Sequence, residues 1–437
     1  MNAERPSRKT LFVWKLLSWA VWVQAVVTSS LGGLVFGRPG AAGEEGVDLS
    51  QVEAVLIVRL DEIGDMTMFS PFLRALRQRL PDARITLVVK PAVRNLMAHC
   101  PYVDDVLTFD QSGGRIQRFL TLPFRAWRFA ARELRPQHFD LAILPRWEAD
   151  YYYAAFVAFW SGAHRRAGYA ERVTPYKAVV NCGFDRLLTD VLDDPAVRHD
   201  VEHNLEMLRY LGVEPDGDDQ EVWTDEEDRA FAEETLRAAG AGPDETLIGI
   251  GPSGGHSALK QWPVDRFAQV GRQLQETHRA RILVFGGPGE AALGDDLAGA
   301  LGATALNLVG RTTLRQMAAL MSRCCVYVGN DSGPTHIAAA AGVPVVAIFG
   351  SSCRHRFRPG GRSVLVWREL DCGPCRRTGH VENRCHTCIY DAPRCLLDIP
   401  VEEVVRAVSL QLIDPVRRLV LTADETPQMN RKGADLD

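Results

Sequence analysis

The sequence predicts an α/β protein built from two doubly wound domains, and three observations carry that prediction. Short apolar runs rich in β-branched residues recur along the chain, each followed by a longer stretch of helical periodicity. The runs are apolar on both faces rather than alternating, the pattern of parallel strands covered by helices on each side. The series also occurs twice, over about residues 52–144 and again over about 247–349. A chain of 437 residues with 46% hydrophobic and 24% charged residues has the apolar content to bury a core in each of two or three domains. Its net charge of -5, from 50 Lys+Arg against 55 Asp+Glu, argues against a general nucleic-acid binder, which needs a basic excess.

The elements follow in order. Leu16–Gly37 holds 22 residues without a formal charge, preceded by Arg5, Arg8, Lys9 and Lys15, with Trp14, Trp19 and Trp22 close by or within it. That is the length of a membrane span, but Gln24, Thr28, Ser29, Ser30 and the Gly32-Gly33 pair dilute its second half. Three readings stay open: an interfacial or hairpin anchor with a Trp belt, a true span, and a helix packed on the protein itself. Residues 38–48 read as a linker from their Gly, Pro and Ala content. Val52–Leu60 is then a strand, Met66–Leu80 a helix with Pro71 near its start, Arg84–Val89 a strand, 92–99 a helix, Val106–Phe109 a strand, 115–134 a helix and Phe139–Leu144 a strand. After an acidic helix near 225–239 the second series runs through strands Leu247–Gly251, Arg281–Phe285, Leu306–Val309, Cys324–Val328 and Val343–Phe349. Helices at 263–278, 288–301, 313–322 and 334–341 separate them. The boundaries expected are 1–47 for the anchor and linker, 48–240 for a first Rossmann-like domain, 241–413 for a second with a Cys-rich insert at 371–396, and 414–437 for a tail. The ligand is expected in a cleft between the two domains, at the carboxyl ends of the strands.

Three turns could carry chemistry. Gly329-Asn330-Asp331-Ser332-Gly333-Pro334-Thr335-His336 joins a strand to a helix. Its glycines permit close backbone approach and its helix start favours an anion such as a diphosphate, although Asp331 or Ser332 could be a plain N-cap. Arg59-Leu60-Asp61-Glu62-Ile63-Gly64-Asp65 is a second such turn, placing Asp65 at a helix start as either a general base or a first-turn acid. The third runs from Gly251-Pro252-Ser253 to Lys260-Gln261-Trp262-Pro263. There Lys260 can neutralise a leaving diphosphate or remain a solvated surface lysine, and the ending of a Walker A loop is missing.

These turns, in this order, resemble glycosyltransferase family 9, the ADP-heptose:lipopolysaccharide heptosyltransferase family. Arg59, Gly64 and Asp65 match its Arg…Gly-Asp element, Lys260, Trp262 and Pro263 its Lys-x-Trp-Pro, and Asp331, Ser332, Gly333 and His336 its Asp-Ser/Thr-Gly-x-x-His. The resemblance covers about residues 52–412. It implies a GT-B fold, with acceptor held mainly by the first domain and nucleotide-sugar mainly by the second. It implies Asp65 as catalytic base and Lys260 as the group stabilising ADP. Donor contacts would come from Ser253, Asp331, Ser332, Gly333, Pro334, Thr335 and His336, with Arg59 and Gly64 supporting the loop or the acceptor. The implied reaction is inverting transfer of a heptose or similar sugar from an ADP-sugar donor to a lipid A-core or related glycolipid acceptor. It requires no cofactor, and it would take place at the cytoplasmic face of the inner membrane, through peripheral contact or a single N-terminal anchor. Rival readings are a protein heptosyltransferase acting on an autotransporter adhesin, a non-catalytic nucleotide-sugar-binding protein, and a nucleotide-sugar epimerase.

Half of the ten cysteines, Cys372, Cys375, Cys385, Cys388 and Cys395, fall within 24 residues. Two CxxC pairs at short separation suit a structural zinc or iron, with His380 or His386 as a substitute ligand; disulfides and free thiols are the alternatives. The family resemblance points to the metal, since Cys-rich inserts occur at this place and one related group binds iron through its insert. Around the cluster, residues 351–394 carry nine Arg and no Lys, which reads as a solvated loop or as a face for phosphorylated acceptor or anionic membrane.

Overall fold

The computed structural model describes residues 8–36, 47–255, 257–372, 388, 390–413, 419–420 and 428–429. The chain forms two compact units, one of residues up to Glu62 together with Phe69–Asp218, the other of Ile63–Met68 together with the chain from Asp219 onward. The short excursion 63–68 carries Gly64 and Asp65 into the second unit.

The first unit is a six-stranded sheet: β1 (Ala54–Val58), β2 (Arg84–Val89), β3 (Asp105–Thr108), β4 (Leu141–Leu144), β5 (Arg165–Tyr169) and β6 (Asp190–Leu192). The spatial order is β3-β2-β1-β4-β5-β6, every neighbouring pair parallel. All five residues of β1 and all four of β4 are buried, as continuous apolar strands between two helical layers require. The segment after residue 160, which has no clear pattern in the sequence, supplies β5 and β6. The helices are α1 (Arg8–Phe36), α3 (Ser70–Arg79), α4 (Arg94–Met97), α5 (Arg115–Phe129), α6 (Ala154–Trp160), α7 (Pro175–Val180) and α8 (Asp200–Tyr210), with α2 (Ile63–Thr67) belonging to the other unit.

Helix α1 uses one face for its own protein. Val21 and Ala25 enter the core cluster of the first unit beside Phe156 and Phe184. The Ser18 hydroxyl donates to Val179 O, the Gln24 amide donates to Phe119 O, and the Tyr153 hydroxyl donates to the same glutamine's Oε1. Among the described residues no helix is long and apolar enough to cross a membrane.

The second unit repeats the design. Its strands are β7 (Leu247–Gly251), β8 (Arg281–Val284), β9 (Ala305–Asn307), β10 (Val326–Asn330), β11 (Val345–Phe349) and β12 (Ser363–Trp367). They lie in the order β12-β11-β10-β7-β8-β9, again all parallel. Renumbered within the unit, that is the same 3-2-1-4-5-6 order as the first sheet. Helices α9 (Glu226–Ala238), α10 (Val264–His278), α11 (Ala291–Leu301), α12 (Leu314–Met321), α13 (Gly333–Ala340), α14 (Arg354–Phe357), α15 (Arg394–Leu397) and α16 (Val401–Ile413) accompany it. Two parallel sheets of this order are the doubly wound fold predicted from the sequence.

Candidate active site

In a doubly wound sheet the connections diverge to opposite faces at one point, and ligands bind outside the carboxyl ends of the two strands there. In the second unit those strands are β7 and β10, paired with Gly251 opposite Gly329. The turns beginning Gly251-Pro252-Ser253 and Asn330-Asp331-Ser332 therefore emerge side by side. Asn330, fully buried, ties them together: its side-chain oxygen accepts from Trp262 N at 3.0 Å and its amide donates to Pro252 O at 2.8 Å. Trp262 is itself fully buried, edge-on to Phe267 at 5.0 Å between ring centres. The Lys-x-Trp-Pro spacing thus becomes mechanical, because the sunken indole fixes the backbone two residues after Lys260.

Lys260 Nζ reaches Asp331 Oδ2 at 2.9 Å, and His336 Nε2 lies 3.6 Å from Asp331 Oδ1. Burial works to raise the Asp331 pKa, but the Lys260 ammonium and the His336 ring outweigh it and hold the carboxyl well below the usual carboxylate range. Asp331 is therefore a fixed negative charge with a paired cation. Helix α13 starts immediately afterwards, with Ser332 at its N-cap position making no side-chain cap bond. Two buried polar atoms at this helix start, Ser332 Oγ and His336 Nδ1, have no hydrogen-bond partner among the described residues. An anion held by a helix N-terminus would lie within reach of such groups.

Asp65 stands in the first turn of α2, and α2 packs on α13. The approach is close enough to dictate residue type on both sides. A Cβ on Gly64 would sit 2.8 Å from His336 Cδ2, and a Cβ on Gly333 would sit 2.8 Å from Ile63 Cβ. Gly333, expected to admit a phosphate, makes room for Ile63. Likewise Gly251 makes room for a side chain: its Cβ would fall 1.7 Å from the Tyr327 hydroxyl, in a ring that is wholly buried. Tyr327 and Asn330 organise the site, yet neither carries a sequence signal, since one reads as a strand residue and the other as a turn residue.

Ser253 is buried. Its hydroxyl donates to Glu290 and accepts from Gly255 N at 2.9 Å, while Glu290 also accepts from Gly287 N at 2.7 Å. Pro334 takes an early position in α13, and the Thr335 hydroxyl, fully buried, donates back to Asn330 O.

The corresponding point of the first unit lies between β1 and β4. Arg59 is buried there, with Nη1 donating to Asn204 at 2.6 Å, Nη2 to Asp200 at 3.3 Å, Nε 2.5 Å from Asp61, and its guanidinium over the Phe69 ring. Arg146, from the turn after β4, also pairs with Asp61. The guanidinium of Arg59 is thus spent on the protein, as a brace for the turn after β1. Asp61, Arg146, Asp150, Glu171, Lys177 and Asp185 line a cavity at this end of the sheet. Lys177 is buried, donates to the carbonyls of Arg146, Trp147 and Tyr169, and has its pKa pushed down to about 7 by that burial.

Of the cysteine cluster, Cys375 and Cys385 lie outside the described residues, as do His380 and His386. Cys395 is largely buried, its thiol pKa pushed up to about 11 by burial and by the neighbouring Cys372 and Cys388. Among the described residues no group of three metal-ligating side chains is assembled. Four of the arginines around the cluster that the structure describes are built into the protein. Arg356 is fully buried beside Phe357, Arg354 stacks over Trp367 and pairs with Glu369, Arg368 forks onto Glu403, and Arg394 pairs with Asp398.

Comparison with known proteins agrees with this geometry. The model of glycosyltransferase family 9 (heptosyltransferase) matches residues 127–386. Lipopolysaccharide heptosyltransferase 2 of Escherichia coli is 26% identical over 373 residues, covering 82% of this chain and 98% of the relative. Lipooligosaccharide heptosyltransferase 2 of Haemophilus ducreyi is 26% identical over 371 residues, covering 81% and 98%. Among solved structures, a family 9 glycosyl transferase from Veillonella parvula superposes with a TM-score of 0.67 at 23% identity, covering 84% of this chain and 99% of that one. The E. coli ADP-heptose heptosyltransferase II gives 0.62 at 21%, covering 82% and 98%. Both share the two-sheet GT-B architecture. The protein described here is a glycosyltransferase and belongs to glycosyltransferase family 9, the heptosyltransferases.

Proposed function

We propose that the protein transfers a heptose, with inversion, from an ADP-activated donor to a lipopolysaccharide core or related glycolipid at the cytoplasmic face of the inner membrane. Two relatives that this chain matches over 98% of their length are named lipopolysaccharide heptosyltransferase 2 and lipooligosaccharide heptosyltransferase 2. The observation that carries the mechanism is the packing of α2 on α13, which sets Asp65 beside the helix start where Lys260, Asp331 and His336 converge. Direct displacement at an anomeric carbon needs a base on one face and charge neutralisation on the other. In this reading Asp65 takes the proton of the acceptor hydroxyl as its oxygen attacks. The departing diphosphate is met by Lys260, the amides at the start of α13, Ser332 and His336, with Ser253, Gly333, Pro334 and Thr335 shaping the donor side. Lys260 keeps donors to spare after its bond to Asp331, and Asp331 holds it in place. Arg59 and Gly64 act as positioning residues, the first by bracing the turn and the second by letting α2 approach His336.

The cysteine cluster is proposed as a structural zinc or iron site, supported by its two CxxC pairs and the following Cys395 in the sequence. Elemental analysis of purified protein tests it.

The central test is Asp65→Ala. The expected result is a loss of transfer of about 10²- to 10⁴-fold, with ADP affinity by calorimetry unchanged within about twofold. Transfer at the wild-type rate overturns the assignment of the base.

A further inference from the structure

The first unit carries an apolar surface that its own fold leaves uncovered. On α5, Ile116, Leu120, Phe124 and Trp127 are 78%, 67%, 61% and 40% exposed. Their spacing of four, four and three residues sets them on one face of the helix. The opposite face of α5 does the structural work, with Leu122 and Ala126 wholly buried in the core. These outward side chains are therefore not needed for folding, and a soluble surface gains nothing by presenting them.

The neighbouring helix adds to the surface. Gln24 of α1 bonds to Phe119 O of α5, so the two helices touch at that point, and α1 shows Trp19, Val27 and Leu31 outward at 64%, 51% and 50% exposure. The charges are one-sided. Residues 115–132 contain five arginines and no acidic residue, in a chain of net charge -5. Arg125 pairs with Asp110 and Arg132 with Glu133, while the exposed Arg128 has no ion-pair partner among the described residues. A helix with an apolar face of Ile, Leu, Phe and Trp and a margin in which arginine outnumbers acid suits the boundary between acyl chains and anionic headgroups.

We infer that the outward face of α5, flanked by α1, is a membrane-docking surface that inserts Leu120, Phe124 and Trp127 into an anionic bilayer. The inference rests on the reading of a membrane-attached acceptor and names the part of the chain that meets that membrane. A protein partner for the same apolar face would more naturally be met by mixed charge at its rim. The excess of arginine over acid along this helix favours lipid, and it makes binding depend on headgroup charge and on salt.

The test uses the full-length chain and sedimentation with vesicles of phosphatidylethanolamine and phosphatidylglycerol, against vesicles of phosphatidylcholine alone. The wild type is expected to bind the anionic vesicles at least tenfold more tightly, and Leu120→Glu with Phe124→Glu to lose at least tenfold of that binding. Arg128→Glu, a single exposed change that leaves the apolar face intact, is expected to lose about threefold and to flatten the salt dependence. Transfer to a lipid-free core oligosaccharide is measured in parallel and stays at the wild-type level, so a failure of the proposed reaction is read separately from a failure of docking. Equal vesicle binding by wild type and α5 variants overturns the inference, as does a wild type that ignores anionic vesicles. Loss of self-association in sedimentation velocity, with vesicle binding unchanged, assigns the face to a second copy and also overturns it.

Discussion

Lys260 Nζ lies 2.9 Å from Asp331 Oδ2, one residue from the turn after β7 and the other from the turn after β10. Removing one member of a mostly buried pair leaves the other's charge uncompensated, which costs far more than an exposed pair is worth. Lys260→Met is expected to lower stability by about 2–3 kcal/mol, the lower part of the range because the ammonium is partly exposed. Urea denaturation measures it. A change under about 0.5 kcal/mol, the size of an ordinary surface substitution, would show the pair to be ornamental.

The pH dependence follows from the same pair. The folded-state pKa of Asp331 is depressed below its unfolded value near 3.9. Its stabilisation is therefore fully present above about pH 4 and is lost as pH falls toward the folded pKa, where the native state must also take up the proton. The stability difference between wild type and Asp331→Asn is expected to be constant from about pH 5 to 7 and to shrink below about pH 4. A difference that stays constant down to pH 3 contradicts the charge pairing.

Asn330 makes two hydrogen bonds from a fully buried amide to the loop 252–262. Asn330→Ala leaves Trp262 N and Pro252 O to find other partners. The expected cost is about 2–4 kcal/mol from two orphaned groups, with weakened ADP binding because Lys260 loses its fixed backbone. Unchanged nucleotide affinity would separate the loop from the donor site.

Gly251→Ala places a methyl group on the Tyr327 hydroxyl, 1.7 Å away before relaxation. It should destabilise by about 3 kcal/mol or more, as overpacking a fixed core does. Tyr327→Phe removes the clashing oxygen, so the double variant is expected to recover part of that loss. A double-mutant cycle with no coupling would show that the strand moves instead.

The strands were legible because buried parallel strands need unbroken apolar runs, and Ala54–Val58, Leu141–Leu144 and Val345–Phe349 are such runs. The three turns of the candidate site were legible as strand-to-helix turns through residue order. Their internal bracing was not. Gly333 and Gly251 read as openings for a ligand but are filled by Ile63 and Tyr327, a difference decided by packing partners far apart in sequence. The stretch Met66–Leu80 reads as one helix, yet the chain breaks near Phe69, whose ring stacks on Phe72 and lies under the Arg59 guanidinium. The arginines of 351–394 look like an anion-binding face by count alone; Arg354, Arg356, Arg368 and Arg394 find their aromatic or carboxylate partners only once the chain is folded. The helix α1 reads as an anchor or a span before it reads as a packed helix, because polar residues such as Gln24 reveal their use only when Phe119 and Tyr153 come beside them.

The six residues 63–68 make the second unit discontinuous in sequence. A polypeptide beginning at Asp219 would keep all six strands β7–β12 and still lack Ile63 over Gly333 and Gly64 against His336. Helix α13 would then show water the very surface that α2 normally covers. Such a fragment can be whole by its sheet and yet be missing a piece of the proposed reaction centre, so the natural seam of this enzyme for dissection, circular permutation or grafting is not the one that its linear order of strands suggests.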